Sequence, residues 1–359
     1  MLHILIVRLS SIGDVLHATT VAHNLRLLLP DAEISWLVSP PSDTLLHGNP
    51  DIDHLLVWDR RPIDQAFAHL HLRRAYQELQ KAKALLAPYS FDIALDIQGL
   101  FLTGLLTKAS GAKRRIGIHE RHEGNPLFMT EMAPEHGDRH KIRRYLTALE
   151  PLGFDCGKFQ PGIVLPVTDA QKDFAKSFWA RHGVDPAAPI LMVNTRTTWP
   201  DKNWPPAYFG AALRNIPASV QIVFSGAPGD KPFIAEAMRG MNRPALSIAG
   251  ETSLTELAAL IASATLLLTG DTGPLYIAEG VHTPTLSIWG PTHPDIYGPL
   301  TAGHHFVLSP HSCTACCKTH CKQDKQSAYS PCMRAVTPDR VRGKLAALLH
   351  LPADRNSSR

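Results

Sequence analysis

Long apolar runs are missing from this 359-residue chain, and none reaches the roughly 18–20 residues that a membrane helix needs. The opening Met1-Leu2-His3-Ile4-Leu5-Ile6-Val7-Arg8 lacks the basic start and small-residue cleavage site of a secretory leader and reads as a short strand. A cytoplasmic protein is the expectation. Charge of one sign is scarce as well. The 36 Lys and Arg against 32 Asp and Glu leave +4 with His neutral, too little for the concentrated basic face of a dedicated nucleic-acid binder. The 19 His add positive charge only below about pH 6.5. No Gly-x4-Gly-Lys-Ser/Thr loop occurs, and no Gly-x-Gly-x-x-Gly follows the first strand, which weighs against nucleoside triphosphatases and Rossmann dehydrogenases. Cysteine is sparse outside one segment. Five of the six lie between Cys313 and Cys332, so they constrain one loop and cannot staple the fold.

What remains is apolar material for more than one core, 44% of residues with 19% charged, and a length that suggests two domains. Short apolar strands alternate with helical stretches almost throughout. Strands are expected at 4–7, 34–38, 55–58, 93–95 and 115–118, then at 190–193, 220–224, 245–248, 265–268 and 283–288. Helices are expected after the first strand to Pro30, and at 63–86, 99–109, 141–152, 208–215, 230–238, 253–262 and 274–279. A last helix opens at Thr337-Pro338, with a capping Thr and Pro at its first position. Residues 153–169, rich in Gly and Pro, form the linker candidate, and 353–359 reads as a disordered tail. The pattern predicts two doubly wound parallel α/β domains, in which ligands sit outside the carboxyl ends of the strands.

Three strand-to-helix loops could carry chemistry. In Ser10-Ser11-Ile12-Gly13-Asp14, Gly13 would allow a tight turn, and Asp14 at the helix start could take a proton from a hydroxyl, or simply cap the helix. In the loop 195–205, the hydroxyls of Thr197 and Thr198, with Arg196 and Lys202, could cradle a diphosphate, or form an ordinary polar loop. In Gly270-Asp271-Thr272-Gly273-Pro274, the free N–H groups of the helix start could meet a phosphate, while Asp271 would cap the helix, hold the lysine or bind a ribose.

Taken in order, these loops resemble the ADP-heptose:lipopolysaccharide heptosyltransferases, glycosyltransferase family 9. The markers are Ser10-Ser11-Ile12-Gly13-Asp14-Val15-Leu16-His17, Leu95-Asp96-Ile97-Gln98-Gly99-Leu100, Thr197-Thr198 with Asp201-Lys202 and Trp204-Pro205, Gly270-Asp271-Thr272-Gly273-Pro274, and Ile288-Trp289-Gly290-Pro291-Thr292-His293-Pro294. The first two look closer to the heptosyltransferase I branch. The resemblance implies a GT-B fold of two Rossmann-like domains facing across a cleft: an acceptor domain at 1–160, a donor domain at 161–336, and a terminal helix and tail at 337–359 packing back toward the first. It implies inverting transfer of L-glycero-D-manno-heptose from ADP-heptose to a lipid-linked inner core of the Kdo-lipid A type. The work would be done in the cytoplasm, with peripheral contact at the inner membrane and no nucleic-acid partner.

The resemblance also assigns roles. Asp14 matches the base. Thr197, Thr198 and Lys202 match the diphosphate positions, and Asp271, Thr272 and Gly273 match the loop near diphosphate and sugar. Asp230 stands where the family often has Glu toward the ribose, and Tyr276 where it usually has His, so a cation near the phosphates could be lost here. For the acceptor, Gly13, Arg121 and Lys141 are the candidates, with Lys113, Arg114, Arg115 and Arg143 as further cations or as a solvated basic face.

The spacing Cys313-x2-Cys316-Cys317-x3-Cys321-x10-Cys332 could close a structural zinc or iron site through Cys313, Cys316, Cys321 and Cys332, with Cys317 spare, or could leave free thiols or a labile disulfide. No cofactor is expected for the chemistry itself. The competing functions are a GT-B enzyme using another nucleotide sugar or a protein acceptor, and a non-catalytic metal-binding scaffold or redox sensor.

Overall fold

The computed structural model describes residues 1–119, 123–311, 313, 315–324 and 327–350. The chain divides after Pro166 into two compact units. The first carries β1 (His3–Val7), α1 (Ile12–Leu28), β2 (Glu33–Val38), β3 (His54–Val57), α2 (Arg61–Ala68), α3 (Leu72–Leu86), β4 (Ile93–Asp96), α4 (Phe101–Ala109), β5 (Arg114–Gly117), β6 (Glu131–Met132) and α5 (Lys141–Leu146). The second carries α6 (Asp169–Arg181), β7 (Ile190–Asn194), α7 (Pro206–Leu213), β8 (Gln221–Ser225), α8 (Lys231–Arg239), β9 (Leu246–Ser247), α9 (Leu254–Ala262), β10 (Leu266–Gly270), α10 (Gly273–Gly280), β11 (Thr285–Trp289), α11 (Pro294–Tyr297), β12 (His304–Leu308), α12 (Pro331–Arg334) and α13 (Pro338–Leu348).

Each unit is built on one six-stranded sheet, in the orders β3-β2-β1-β4-β5-β6 and β12-β11-β10-β7-β8-β9. All strand pairs are parallel. Central strands such as β1, β7 and β10 are buried at every residue, as expected of parallel strands covered on both faces. In both sheets the order reverses once, between β1 and β4 and between β7 and β10. A reversal leaves a crevice at the carboxyl ends, because the connecting helices leave toward opposite faces.

The differences from expectation have local causes. The helix expected at 63–86 is two helices broken at 69–71, where Leu70 takes φ +56°. The helix expected at 141–152 is α5 followed by a 3-10 turn over Thr147–Leu152, since Pro151 has no N–H to continue it. Residues at the end of the presumed linker begin α6, and its start carries a capping box: Gln171 N donates to Thr168 Oγ1 (3.3 Å) and Thr168 N to Gln171 Oε1 (2.7 Å). Strand β12 has little strand signal in the sequence, because two histidines shorten its apolar run. In the terminal helix, which the resemblance sends toward the first domain, Val341 and Leu345 are buried in the second unit's core. Trp204 Nε1 ties the preceding turn to that core through the carbonyl of Val336 (2.8 Å). The expected disordered tail 353–359 lies outside the described residues. No described helix is long and apolar enough to cross a membrane.

Helices α7 and α8 meet almost backbone to backbone. A Cβ on Gly210 would stand 2.7 Å from Gly240 Cα and would also strike the carbonyl of Ala237. Gly210→Ala is therefore expected to cost about 1–3 kcal/mol through overpacking, read as a lower urea midpoint. An unchanged midpoint would contradict that packing.

Candidate functional site

In the first unit, Asp14 sits in the first turn of α1, just past the carboxyl end of β1. It is met from several sides. Arg8 Nη2 lies 2.8 Å from Oδ2, and the Lys141 ammonium, from α5, pairs with Oδ1. Ser11 donates from its backbone N–H (3.4 Å) and its hydroxyl (3.0 Å), and Tyr145 from its hydroxyl (3.3 Å). Asp14 thus caps its own helix while standing between two cations. Burial works against its charge, but Arg8 and Lys141 outweigh burial and hold the carboxyl well below the usual carboxylate range. It is an anion at any working pH, with long, exchangeable hydrogen bonds from Ser11 N and Tyr145 through which an incoming hydroxyl could replace a donor.

The loop after β4 braces this arrangement across the reversal in strand order. Buried Asp96 accepts the N–H groups of Gln98 and Gly99, both at 3.0 Å, and the Asn125 amide at 2.7 Å. Gly99 turns there at φ +76°. The Gln98 side-chain carbonyl then accepts Leu9 N at 2.7 Å, and Arg8 Nη1 donates to the Ile97 carbonyl at 2.9 Å. Burial pushes Asp96 up in spite of these donors, and its bonds shape the loop.

In the second unit, the loops after β7 and β10 straddle the other reversal. Lys202 Nζ is 2.6 Å from Asp271 Oδ2 and 4.1 Å from the centre of the Trp199 ring. Asp271 also accepts the hydroxyls of Tyr276 (2.5 Å) and Thr292 (2.7 Å). An ammonium has three N–H groups. One is directed to Asp271, so the others can face an anion placed beside the start of α10, where Thr272 holds the cap position without a side-chain bond and Gly273 opens the helix. A Cβ on Gly270 would come within 3.0 Å of Thr197 Cγ2, so glycine there lets the two loops approach.

The other expected residues fall into place unevenly. The Thr197 hydroxyl donates to the Trp199 carbonyl (2.8 Å), and its N–H to Asn203 Oδ1 (2.8 Å), so Thr197 mainly holds the loop's shape. Thr198 is exposed. Asp230 closes its own turn by accepting Ala227 N (2.8 Å) and lies 3.4 Å from Arg196 Nη1. Tyr276 is buried with its hydroxyl on Asp271, which makes it an orienting group. Gly13 lies within α1 and not at a left-handed turn. Lys141 is engaged by Asp14. Arg121 lies outside the described residues. Among the further cations, Lys113 and Arg114 stand at the start of β5, the end of the sheet away from Asp14. Arg114 pairs with Glu131 (2.7 and 3.0 Å), and Arg115 donates to the carbonyls of Phe128 and Ala112. Arg143 lies over the Phe159 ring at 4.9 Å.

The cysteine segment does not assemble as the spacing suggested. Among the described residues no three His, Cys, Asp or Glu side chains are placed to hold one metal ion. Cys313 Sγ lies 3.0 Å from His311 Nδ1, Cys332 Sγ lies 3.3 Å from Ser330 Oγ, Cys316 is exposed, and all are free thiols. Burial pushes the Cys313 and Cys332 thiols up, and neighbouring cysteines add to the rise. As placed, Cys313, Cys316, Cys321 and Cys332 do not gather into a metal site. Instead the segment lies against the run after β11: Ala315 N donates to the Gly290 carbonyl (3.1 Å) and Cys317 N to that of Pro291 (2.7 Å). Burial raises the Cys317 thiol, with Lys202 and Asp271 both close enough to act on it. Reasoning from sequence passed over Arg8, Tyr145, Asn203 and this nearness of Cys317. Thr292 lay inside a quoted motif, but its link to Asp271 spans 21 residues and carries no local signal.

Behind Tyr276 on α10, Glu279 is wholly buried. It accepts the N–H groups of Leu300 (2.9 Å) and Thr301 (3.3 Å), and burial pushes it up to about 7. The fold holds this proton while the unfolded chain releases it near pH 4.5, so stability falls as pH rises from there to about 7. Glu279→Gln is expected to gain on the parent across that window in urea titrations and to hold a constant difference above it. A difference flat from pH 4.5 upward would contradict this.

Comparison with known proteins agrees with the geometry. The sequence model of Glycosyltransferase family 9 (heptosyltransferase) matches residues 79–327. Lipopolysaccharide heptosyltransferase 1 of Pseudomonas aeruginosa is 23% identical, over 98% of this chain and 99% of that protein. Among solved structures, a family 9 glycosyl transferase from Veillonella parvula superposes with a TM-score of 0.84 at 22% identity, covering 97% of each chain. Heptosyltransferase WaaC of E. coli with ADP gives 0.72 at 18%, over 97% of this chain and 100% of that one. At these identities the structural likeness speaks for the fold.

Proposed function

The chain belongs to glycosyltransferase family 9 (heptosyltransferase), and from that premise we propose that it transfers L-glycero-D-manno-heptose from ADP-heptose to a lipid-linked, Kdo-lipid A type inner core, as in the heptosyltransferase I branch. The observation that carries this reading is the Lys202–Asp271 pair at the second sheet's reversal, fixed by Tyr276 and Thr292 beside the start of α10. Such a site suits a diphosphate.

The acceptor hydroxyl attacks the anomeric carbon from the face opposite ADP, and the new C–O bond inverts that centre. The bond to the phosphate oxygen breaks with its electron pair on ADP. The hydroxyl proton goes to Asp14. As ADP departs, negative charge grows on its diphosphate, and Lys202 with the N–H groups at the α10 start stabilises it more than in the ground state. Asp14 is a weak base, because Arg8 and Lys141 favour its anion. It suffices because the hydroxyl becomes strongly acidic once its oxygen bonds to carbon, so placement matters more than basicity. Carboxylate, lysine and helix start account for the transfer without a cofactor. Asp230 would approach the ribose through its place beside Arg196, and Thr198, Thr272 and Gly273 would line the diphosphate. Tyr276 replaces the family's usual His without replacing a charge; it steadies Asp271, and Lys202 supplies the cation. The enzyme would act in the cytoplasm on an acceptor held at the inner membrane.

The direct test is incubation with a panel of ADP- and UDP-sugars and a Kdo-bearing acceptor. ADP-heptose should release ADP and add one heptose; turnover only with another donor would overturn the reading. Lys202→Met should weaken ADP binding and lower kcat, while Tyr276→Phe, which loosens Asp271, should lower turnover by roughly tenfold with ADP still bound. ADP affinity unchanged in Lys202→Met would reject the cradle.

A further inference from the structure

The elbow between α2 and α3 exposes an unusual group of side chains. Phe67, Leu70, Leu72 and Tyr76 are 47%, 81%, 70% and 63% exposed, four of the nine large exposed hydrophobics among the described residues, within ten positions. Scattered exposed leucines are normal, but such a concentration along one short stretch of chain marks a contact surface. At its apex, Leu70 holds φ +56°, a conformation that favours glycine, yet the position carries leucine. Leu72 and Tyr76 follow one helical turn apart. Cations surround the group. Between Asp59 and Leu86 six Lys and Arg stand against three acids, each of them paired: Asp59 with Arg61 (2.6 Å), Asp64 with Arg60 and Glu78 with Lys81 (both 2.8 Å), which leaves Arg73, Arg74 and Lys83. Arg73 and Arg74 make no ion pair among the described residues, and they line an open hollow of about 580 Å³ with His71, Leu72, Gln77 and Glu78.

We propose that this elbow docks the enzyme on an anionic lipid bilayer, with Leu70 and Leu72 entering the headgroup boundary and Arg73 and Arg74 on lipid phosphates. Apolar tips flanked by arginines match that surface in both polarity and charge. The position suits the chemistry as well. At the other end of α2, Arg60 donates to Ser10 Oγ (3.0 Å), beside the turn that carries Asp14. Eight helical residues span about 12 Å. Docking at the elbow would thus hold the Asp14 loop roughly one short helix from the bilayer, within reach of a sugar anchored by lipid. Only this last point rests on the lipid-linked acceptor proposed above; vesicle binding needs neither donor nor acceptor.

The test is sedimentation of the full chain with vesicles of phosphatidylcholine alone or mixed with phosphatidylglycerol. Binding is expected to the anionic vesicles only, and to weaken with salt. Arg73→Ala/Arg74→Ala should reduce it by roughly thirtyfold. Leu70→Ser/Leu72→Ser should reduce it comparably, while both variants keep ADP affinity and gel-filtration volume, which shows that they are folded. Equal binding by parent and arginine variant, or no binding to anionic vesicles, would overturn the surface. So would a smaller species for the leucine variant without lipid, since the elbow would then be covered by a second copy of the chain. Vesicle binding as expected, but without heptose transfer, would support the surface and remove only the donor reading.

Discussion

A carboxylate drawn into a folded chain must be matched by cations and donors, and this constraint organises both units. Asp14 is matched by Arg8, Lys141 and Tyr145, and Asp271 by Lys202, Tyr276 and Thr292. Each set combines a lysine and a tyrosine with an aspartate past the end of a central parallel strand. An unmatched charge there would be costly, so the partners fix the acid and the acid fixes the partners. In the first unit the outcome is a carboxylate that Arg8 and Lys141 hold ionised at rest. In the second it is a lysine with one N–H directed to its partner and the remainder free for an anion.

The sheets explain why these groups stand where they do. Strand order reverses once in each sheet, and the loops on either side of each reversal carry these groups: those after β1 and β4 in the first unit, and those after β7 and β10 in the second. Gln98 and the Ile97 carbonyl brace the first pair; Gly270 lets the second pair close up. Side chains off these strand ends serve structure instead, as Arg114 and Arg115 do at the opposite end of β5.

Much of this was legible in the sequence. Buried parallel strands announce themselves as short apolar runs, and Asp14, Lys202 and Asp271 each lay in a loop with a recognisable Gly or Pro junction. What stayed hidden is what depends on distant packing. Tyr145 reads as a core aromatic, and its hydroxyl reaches Asp14 across 131 residues. Tyr276 reads as a donor ligand in the sequence, and its bond to Asp271 shows only in the fold. The cysteine spacing fits a metal cage in one dimension, but backbone bonds to Gly290 and Pro291 hold the segment against the run after β11 instead. Even α6, with its capping box, was lost to the Gly- and Pro-rich stretch before it.

The most direct measurement is the turnover of Asp14→Asn with ADP-heptose, taken together with its ADP affinity. The substitution keeps the shape and the Ser11 contacts but removes the anion that receives the proton. The account predicts a fall in kcat of roughly 10²–10⁴-fold with ADP bound as tightly as before. Turnover close to that of the parent would contradict it.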